Sequence, residues 1–207
     1  MPVITSIKVQ KNGKRINIYL DGKFGFGLDL ENYLKYGIKV EQSLTDEKIK
    51  EIIKKANFQL NLDKLLRFAT LRPRSELEIL GWMKRKRVHK SLQEELLNKL
   101  KHLDLIDDEK FARWWVEQRL SFKPKSKRIL SDELRAKGIK KDTIEDVLES
   151  IVVDEVKIAK DLLEKKKYKW EKLPSLEAKR KKGDFLMRNG FSWEIIRKIL
   201  KDETYEE

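Results

Sequence analysis

Apolar residues recur along this chain in a phrase written three times. MKRKRVHKSLQEELLNKL occupies 83–100, LRAKGIKKDTIEDVLESI occupies 134–151, and LMRNGFSWEIIRKIL occupies 186–200. Each phrase holds an apolar anchor just after a short turn, at Val88, Ile139 and Phe191. A second apolar residue lies five positions earlier, at Met83, Leu134 and Leu186. Forward of the anchor, Leu96, Leu97 and Leu100 match Val147, Leu148 and Ile151. Ile199 and Leu200 continue the third set until the pattern runs out at Glu203. Such spacing places one apolar face on a helix. Anchors 51 and 52 residues apart predict a repeated structural unit.

Punctuation around the phrases predicts where helices start and stop. Pro73, Pro124 and Pro174 precede Ser75, Ser126 and Ser175. Proline blocks helix upstream and serine caps a start. Gly138 and Gly190 fall where a left-handed residue ends a helix, and Arg87 holds that place in the first phrase, which predicts a less relaxed turn there. Ser91 with Glu94 and Asp142 with Glu145 read as capping boxes for the next helix, and Ser192 as the third cap. A further helix follows, with Phe111, Ala112, Trp115 and Val116 matching Ile158, Ala159, Leu162 and Leu163, and with Asp107 and Asp154 leading. Its connector is four residues shorter in the second unit.

The expected architecture is mainly α, with tandem three-helix repeats forming an elongated curved array. Boundaries are expected at 72–121, 122–167 and a truncated 168–207. Residues 1–71 form a β-hairpin segment with leading helices at about 45–56 and 58–70. Within it, ITSIKV and INIYL flank Asn12-Gly13, and Asp21-Gly22 supplies a second turn with room for a third short strand.

Charge adds a candidate partner. The net charge is +13, divided as +5, +3, +2 and +3 over residues 1–71, 72–121, 122–166 and 167–207. A spread excess suits a folded body touching a long polyanion, although a Lys-rich surface also serves solubility. The chain has no cysteine, so thiolate metal sites and disulfides are excluded, and a reducing, cytoplasmic setting is expected. No secretory leader or membrane-spanning run is apparent.

Catalytic chemistry finds little support. His89 and His102 lack paired-ligand spacing and read as solvated surface residues. Gly22, Gly25 and Gly27 do not form a phosphate loop. Asp107, Asp108 and Glu109 resemble either a magnesium cluster or, with much better precedent, a helix start where carboxylates meet backbone amides. No enzyme activity, cofactor or metal is therefore expected. Trp115 reads as core and Trp114 as packing against the next unit or, less commonly, a partner, while Trp193, in a first helical turn, is the tryptophan most expected to show. The candidate contact residues are basic: Arg72, Arg74, Lys84, Arg85, Lys123, Lys125, Lys127, Arg128, Lys140, Lys141, Lys181, Lys182 and Arg188. Pairing with an acidic neighbour is the alternative for Arg72 and Arg74.

The runs FATLRPRSELEIL, LIDDEKFARWWVEQR, AKGIKKDTIEDVL and KGDFLMRNGFSWEIIRKIL resemble the bacterial RecX family, regulators of the RecA recombinase. The resemblance covers about residues 62–201. It departs at Arg87, where glycine is usual, and at KPKSK over 123–127. It implies a regulator, usually an inhibitor, that binds RecA–DNA filaments and in some relatives DNA directly; single- and double-stranded DNA are the expected nucleic-acid partners, and the chain is expected to be a monomer. Modulation of recombination, DNA repair and the SOS response would follow. A general DNA- or RNA-binding helical-repeat protein is the alternative that the residues alone leave open.

Overall fold

The computed structural model describes residues 1–11 and 13–202. Asn12 of the expected first turn and Glu203, where the third pattern runs out, lie outside them. The protein is mainly helical. Its elements are β1 (Ile4–Val9), β2 (Arg15–Leu20), β3 (Lys23–Asp29), α1 (Leu30–Tyr36), α2 (Asp46–Thr70), α3 (Glu76–Arg85), α4 (Lys90–His102), α5 (Asp108–Phe122), α6 (Lys127–Ala136), α7 (Lys141–Ser150), α8 (Glu155–Glu164), α9 (Ser175–Arg188) and α10 (Trp193–Asp202). The chain divides into two compact bodies. One holds Met1–Arg72 and Met83–Leu103, and the other holds Pro73–Trp82 and the residues from Asp104 onward.

In the first body the strands form an antiparallel sheet in the order β1-β2-β3. Ile18 pairs with Ile7 and Phe26, and Ile16 with Val9 and Leu28, which puts the apolar alternation on one face. That face packs on Ile38, Leu44, Ile52 and Ala56. Asp21 and Gly22 take φ of 48° and 78°, the pair of left-handed residues that a two-residue hairpin requires. The two leading helices expected at 45–56 and 58–70 are one helix, α2, because no residue between them breaks it. Helix α1, between its Asp29 cap and Gly37, has no counterpart in the sequence reading: seven residues are too few to show periodicity.

The repeated phrase has one structural meaning. The Val88 amide donates to the Met83 carbonyl at 3.0 Å, Ile139 to Leu134 at 3.1 Å, and Phe191 to Leu186 at 3.2 Å. One residue earlier, Arg87 donates to Lys84, Gly138 to Arg135 and Gly190 to Met187. These are three Schellman turns, each closed by an apolar contact between the ends of its longer hydrogen bond. All six of those apolar residues are buried. The left-handed residue is Gly138 (φ 83°) or Gly190 (φ 81°), and Arg87 accepts the same region at 53°.

The turn also fixes where the next helix begins. The cap falls one residue after the anchor every time, at His89, Lys140 and Ser192. The expected caps at Ser91 and Asp142 are therefore two residues late. The His89 ring nitrogen Nδ1 accepts from the Ser91 amide, Lys140 provides no side-chain bond, and Ser192 Oγ accepts from Ile195 as expected. The serines before the turn divide similarly. Ser75 accepts from Glu78 and Ser126 from Ile129, whereas α9 is capped at Pro174 without a side-chain bond and Ser175 is its first residue.

Cores in the second body join α5, α6 and α7 around Phe111, Leu134 and Val147, and α8, α9 and α10 around Ile158, Leu186 and Ile196. Each group thus begins one helix earlier than the boundaries expected at 121/122 and 167/168. The reason is that Phe111, Ala112 and Val116 turn toward the helix pair that follows them. Trp115 is half-buried at the edge of its core rather than inside it.

The turns predict an asymmetry in stability. A Cβ at Gly138 would lie 2.8 Å from the Leu77 side chain in a left-handed backbone. Gly138→Val should cost about 2–4 kcal/mol. Arg87→Gly should be neutral or stabilise by up to about 1 kcal/mol. Thermal and urea melts of the two variants check both signs.

Candidate protein and nucleic-acid interface

Cations in this chain fall into those spent on holding helices together and those left at the surface. The first set surrounds Glu78. Lys137 Nζ lies 2.8 Å from its carboxylate and the Arg74 guanidinium 3.8 Å, with the Glu78 side chain 14% exposed and that of Arg74 11%. Lys137 also stands 4.8 Å above the Trp115 ring, with Arg119 at 4.6 Å. Trp115 Nε1 and Arg119 Nε both donate to Glu133, at 2.8 and 2.7 Å. This chain of contacts ties α3 to α5 and α6. Arg74, a candidate contact residue, is therefore an internal tie, the alternative role expected for it.

Carboxylates complete the junctions. Asp107 accepts from the amides of Glu109 and Lys110, capping its own helix. Asp108, the next residue, accepts from the Glu76 amide and so caps α3. In the following group Asp154 caps α8 and Glu155 accepts from the Lys127 amide at the start of α6. Glu109 pairs with Arg113 at 3.0 Å. The acidic cluster is thereby committed to amides and an arginine. Among the described residues no group of three potential metal ligands occurs.

Most of the other candidates are exposed near helix ends. Lys84 and Arg85 are exposed in the last turn of α3, Lys123 at the end of α5, Arg128 in the first turn of α6, Lys140 and Lys141 at the start of α7, and Arg188 in the last turn of α9. Arg72, Lys125, Lys127 and Lys182 are half-buried. Lys141 approaches Glu145 at 3.6 Å with both side chains largely in solvent, a pairing of little energetic weight. Lys181 is exposed and bonds Glu177 at 2.9 Å, and that hydrogen bond holds the Glu177 carboxyl below its ordinary range.

Counting from the turns gives a sharper grouping than the bare sequence. Arg85 and Arg188 occupy equivalent places, as do Lys90 and Lys141, and Arg128 and Arg180. Lys90 and Arg180 were missed in the sequence reading, although aligning the three anchors finds them. All six side chains are exposed.

Three-helix groups with a β segment, carrying exposed cations in register, define a basic helical-repeat protein, and no described helix is long and apolar enough to cross a membrane. Comparison with known proteins makes this specific. The Regulatory protein RecX N-terminal domain matches residues 2–45, and the second and third three-helix domains of RecX match 107–148 and 154–200. The regulatory protein RecX of Bacillus licheniformis is 34% identical over 208 residues, and that of Bacillus subtilis 33%. Each match covers 100% of this chain and 79% of the relative. A crystal structure of a regulatory protein RecX superposes with a TM-score of 0.72 at 27% identity, covering 98% of this chain and all of that one. RecX from Lactobacillus salivarius shares the fold, with a TM-score of 0.62 over 70% of this chain and 96% of its own. The chain belongs to the RecX family of regulatory proteins.

The tie at Glu78 is testable. Glu78→Ala leaves Lys137 and Arg74 without their shared carboxylate and should cost about 2–3 kcal/mol. Lys141→Ala should change stability by no more than about 0.5 kcal/mol. Chemical denaturation compares the two.

Proposed function

We propose that the chain, acting as a monomer in the cytoplasm, binds RecA–DNA filaments and inhibits the recombinase by contact, so damping recombination and the SOS response. Family membership supports a regulatory role toward RecA. The observation that carries the filament reading is the register of Arg85 with Arg188, Lys90 with Lys141 and Arg128 with Arg180. Each pair recurs in two of the three units, with Ala136, Trp193 or Leu77 at the remaining place, and such partial recurrence suits a polymer whose own charges return at fixed intervals. Many weak contacts spread over several units also reach high affinity only where a partner presents the matching series. Single- and double-stranded DNA would be touched by the same cations.

The second reading, a general DNA or RNA binder, draws on the net charge of +13. Salt separates the two. Contacts made only to phosphates weaken steeply as salt rises, whereas a filament regulator keeps its hold on RecA–DNA where bare DNA is released.

Charge reversal of Lys123, Lys125, Arg128, Lys140 and Lys141 together tests the proposal. Lys127 is left intact because an acidic side chain there would stand beside the Glu155 carboxylate that its backbone amide binds. The variant should melt like the parent and need about tenfold more protein to suppress the DNA-dependent ATPase of RecA. Undiminished suppression would locate the activity elsewhere.

A further inference from the structure

One surface breaks the polar pattern. Between α9 and α10 lies an open cavity of about 750 Å³, with an apolar lining of Leu176, Gly183, Met187, Trp193 and Leu200 and a charged rim of Lys179, Arg180, Asp184 and Glu177, the last already held by Lys181. Leu176 is 84% exposed, Trp193 57% and Met187 52%. A glycine at 183 keeps the floor open: a Cβ there would already touch Leu200 at 3.5 Å. Counted from the turns, Gly183, Met187 and Trp193 stand where the second group has Ser131, Arg135 and Lys141. The apolar character therefore belongs to this group and is not imposed by the repeat. Contiguous exposed leucine, methionine and tryptophan in a concave site mark an interaction surface.

The junctions already made in this chain indicate the occupant. At α3 and α6 the helix start receives a carboxylate from the first residue of another helix, Asp108 or Glu155. In both donors a buried apolar residue follows three positions later, Phe111 or Ile158. Helix α9 starts at the rim of the cavity and has no side-chain cap. We propose that this groove docks a helix from a partner protein whose start carries paired carboxylates, followed three residues later by an apolar side chain. The carboxylates would meet the first amides of α9 and the rim cations, and the apolar residues would cover Leu176, Met187 and Trp193. A second copy of this chain is a poorer fit. Its corresponding start, Asp46-Glu47-Lys48-Ile49, has Ile49 packed on the sheet core. The proposal does not depend on RecA being the partner.

A fluorescein-labelled peptide of residues 152–166, which contains the Asp154-Glu155 start, serves as probe. Anisotropy titration with the full chain should show saturable binding. Asp154→Asn with Glu155→Gln in the peptide should weaken it by about tenfold, and so should Trp193→Asp in the chain. Leu176→Asp is a second variant in case Trp193→Asp lowers the melt, and the peptide-side substitutions leave the chain untouched. The proposal is overturned if no saturable binding occurs below roughly 1 mM, a weak limit for a real site. It is equally overturned if neither the peptide nor the groove substitutions matter. Concentration-dependent self-association that Trp193→Asp abolishes would make the occupant a second copy and overturn it as well.

Discussion

The left-handed turn that ends α6 packs on the start of α3, the one that ends α9 packs on the start of α6, and the arrangement of the second body depends on these contacts. Gly138 lies against Leu77 of α3, and Gly190 against Ser126 and Ile129 of α6, closer than any side chain would permit. Glycine is thus needed twice over, for backbone conformation and for proximity. Ser126 secures the second contact from both sides. Its oxygen accepts from the Ile129 amide and its hydroxyl donates to the Asn189 carbonyl, while the residue is fully buried. At the first contact Lys137 reaches Glu78 instead. Each junction is then completed by a carboxylate from the first helix of the later group, Asp108 of α5 or Glu155 of α8.

Much of this was legible in the sequence because it is written more than once. Three anchors with a partner five residues earlier state the Schellman turn directly, and Asp21-Gly22 states the hairpin. What was not legible is what happens between groups. Nothing near Asp108 or Glu155 in sequence says that its carboxylate serves an amide 32 or 28 residues away. The caps at Ser91 and Asp142 were misplaced because a good capping box competes with a turn that ends elsewhere, and the turn, held by two backbone bonds and a buried contact, prevails. Trp115 was misread because its apolar spacing is real while its indole N–H needs a partner and finds Glu133 at the edge. The basic candidates were legible as a composition and not as roles. Only the structure separates Arg74, used internally, from Lys84, Lys123 or Arg128 at the surface.

That separation shapes the functional account. A regulator that acts by contact needs a stiff series of groups and a surface free to bind. Internal ties among Arg74, Glu78, Lys137, Trp115, Glu133 and Arg119 supply the first without using the exposed cations that supply the second. The apolar groove of the last group adds a contact of another kind, with directional packing in place of screened charge. Under the proposed function the exposed cations serve a partner that repeats, and the groove provides for one that does not.

Native-state hydrogen exchange on a Ser126→Ala variant tests the central contact most directly. If the turn seat couples successive groups, the Leu130 amide in α6 and the Phe191 amide at the third turn should lose protection together, each by roughly tenfold. Loss at Leu130 with Phe191 unchanged would reduce Ser126 to a local helix cap and contradict the coupling.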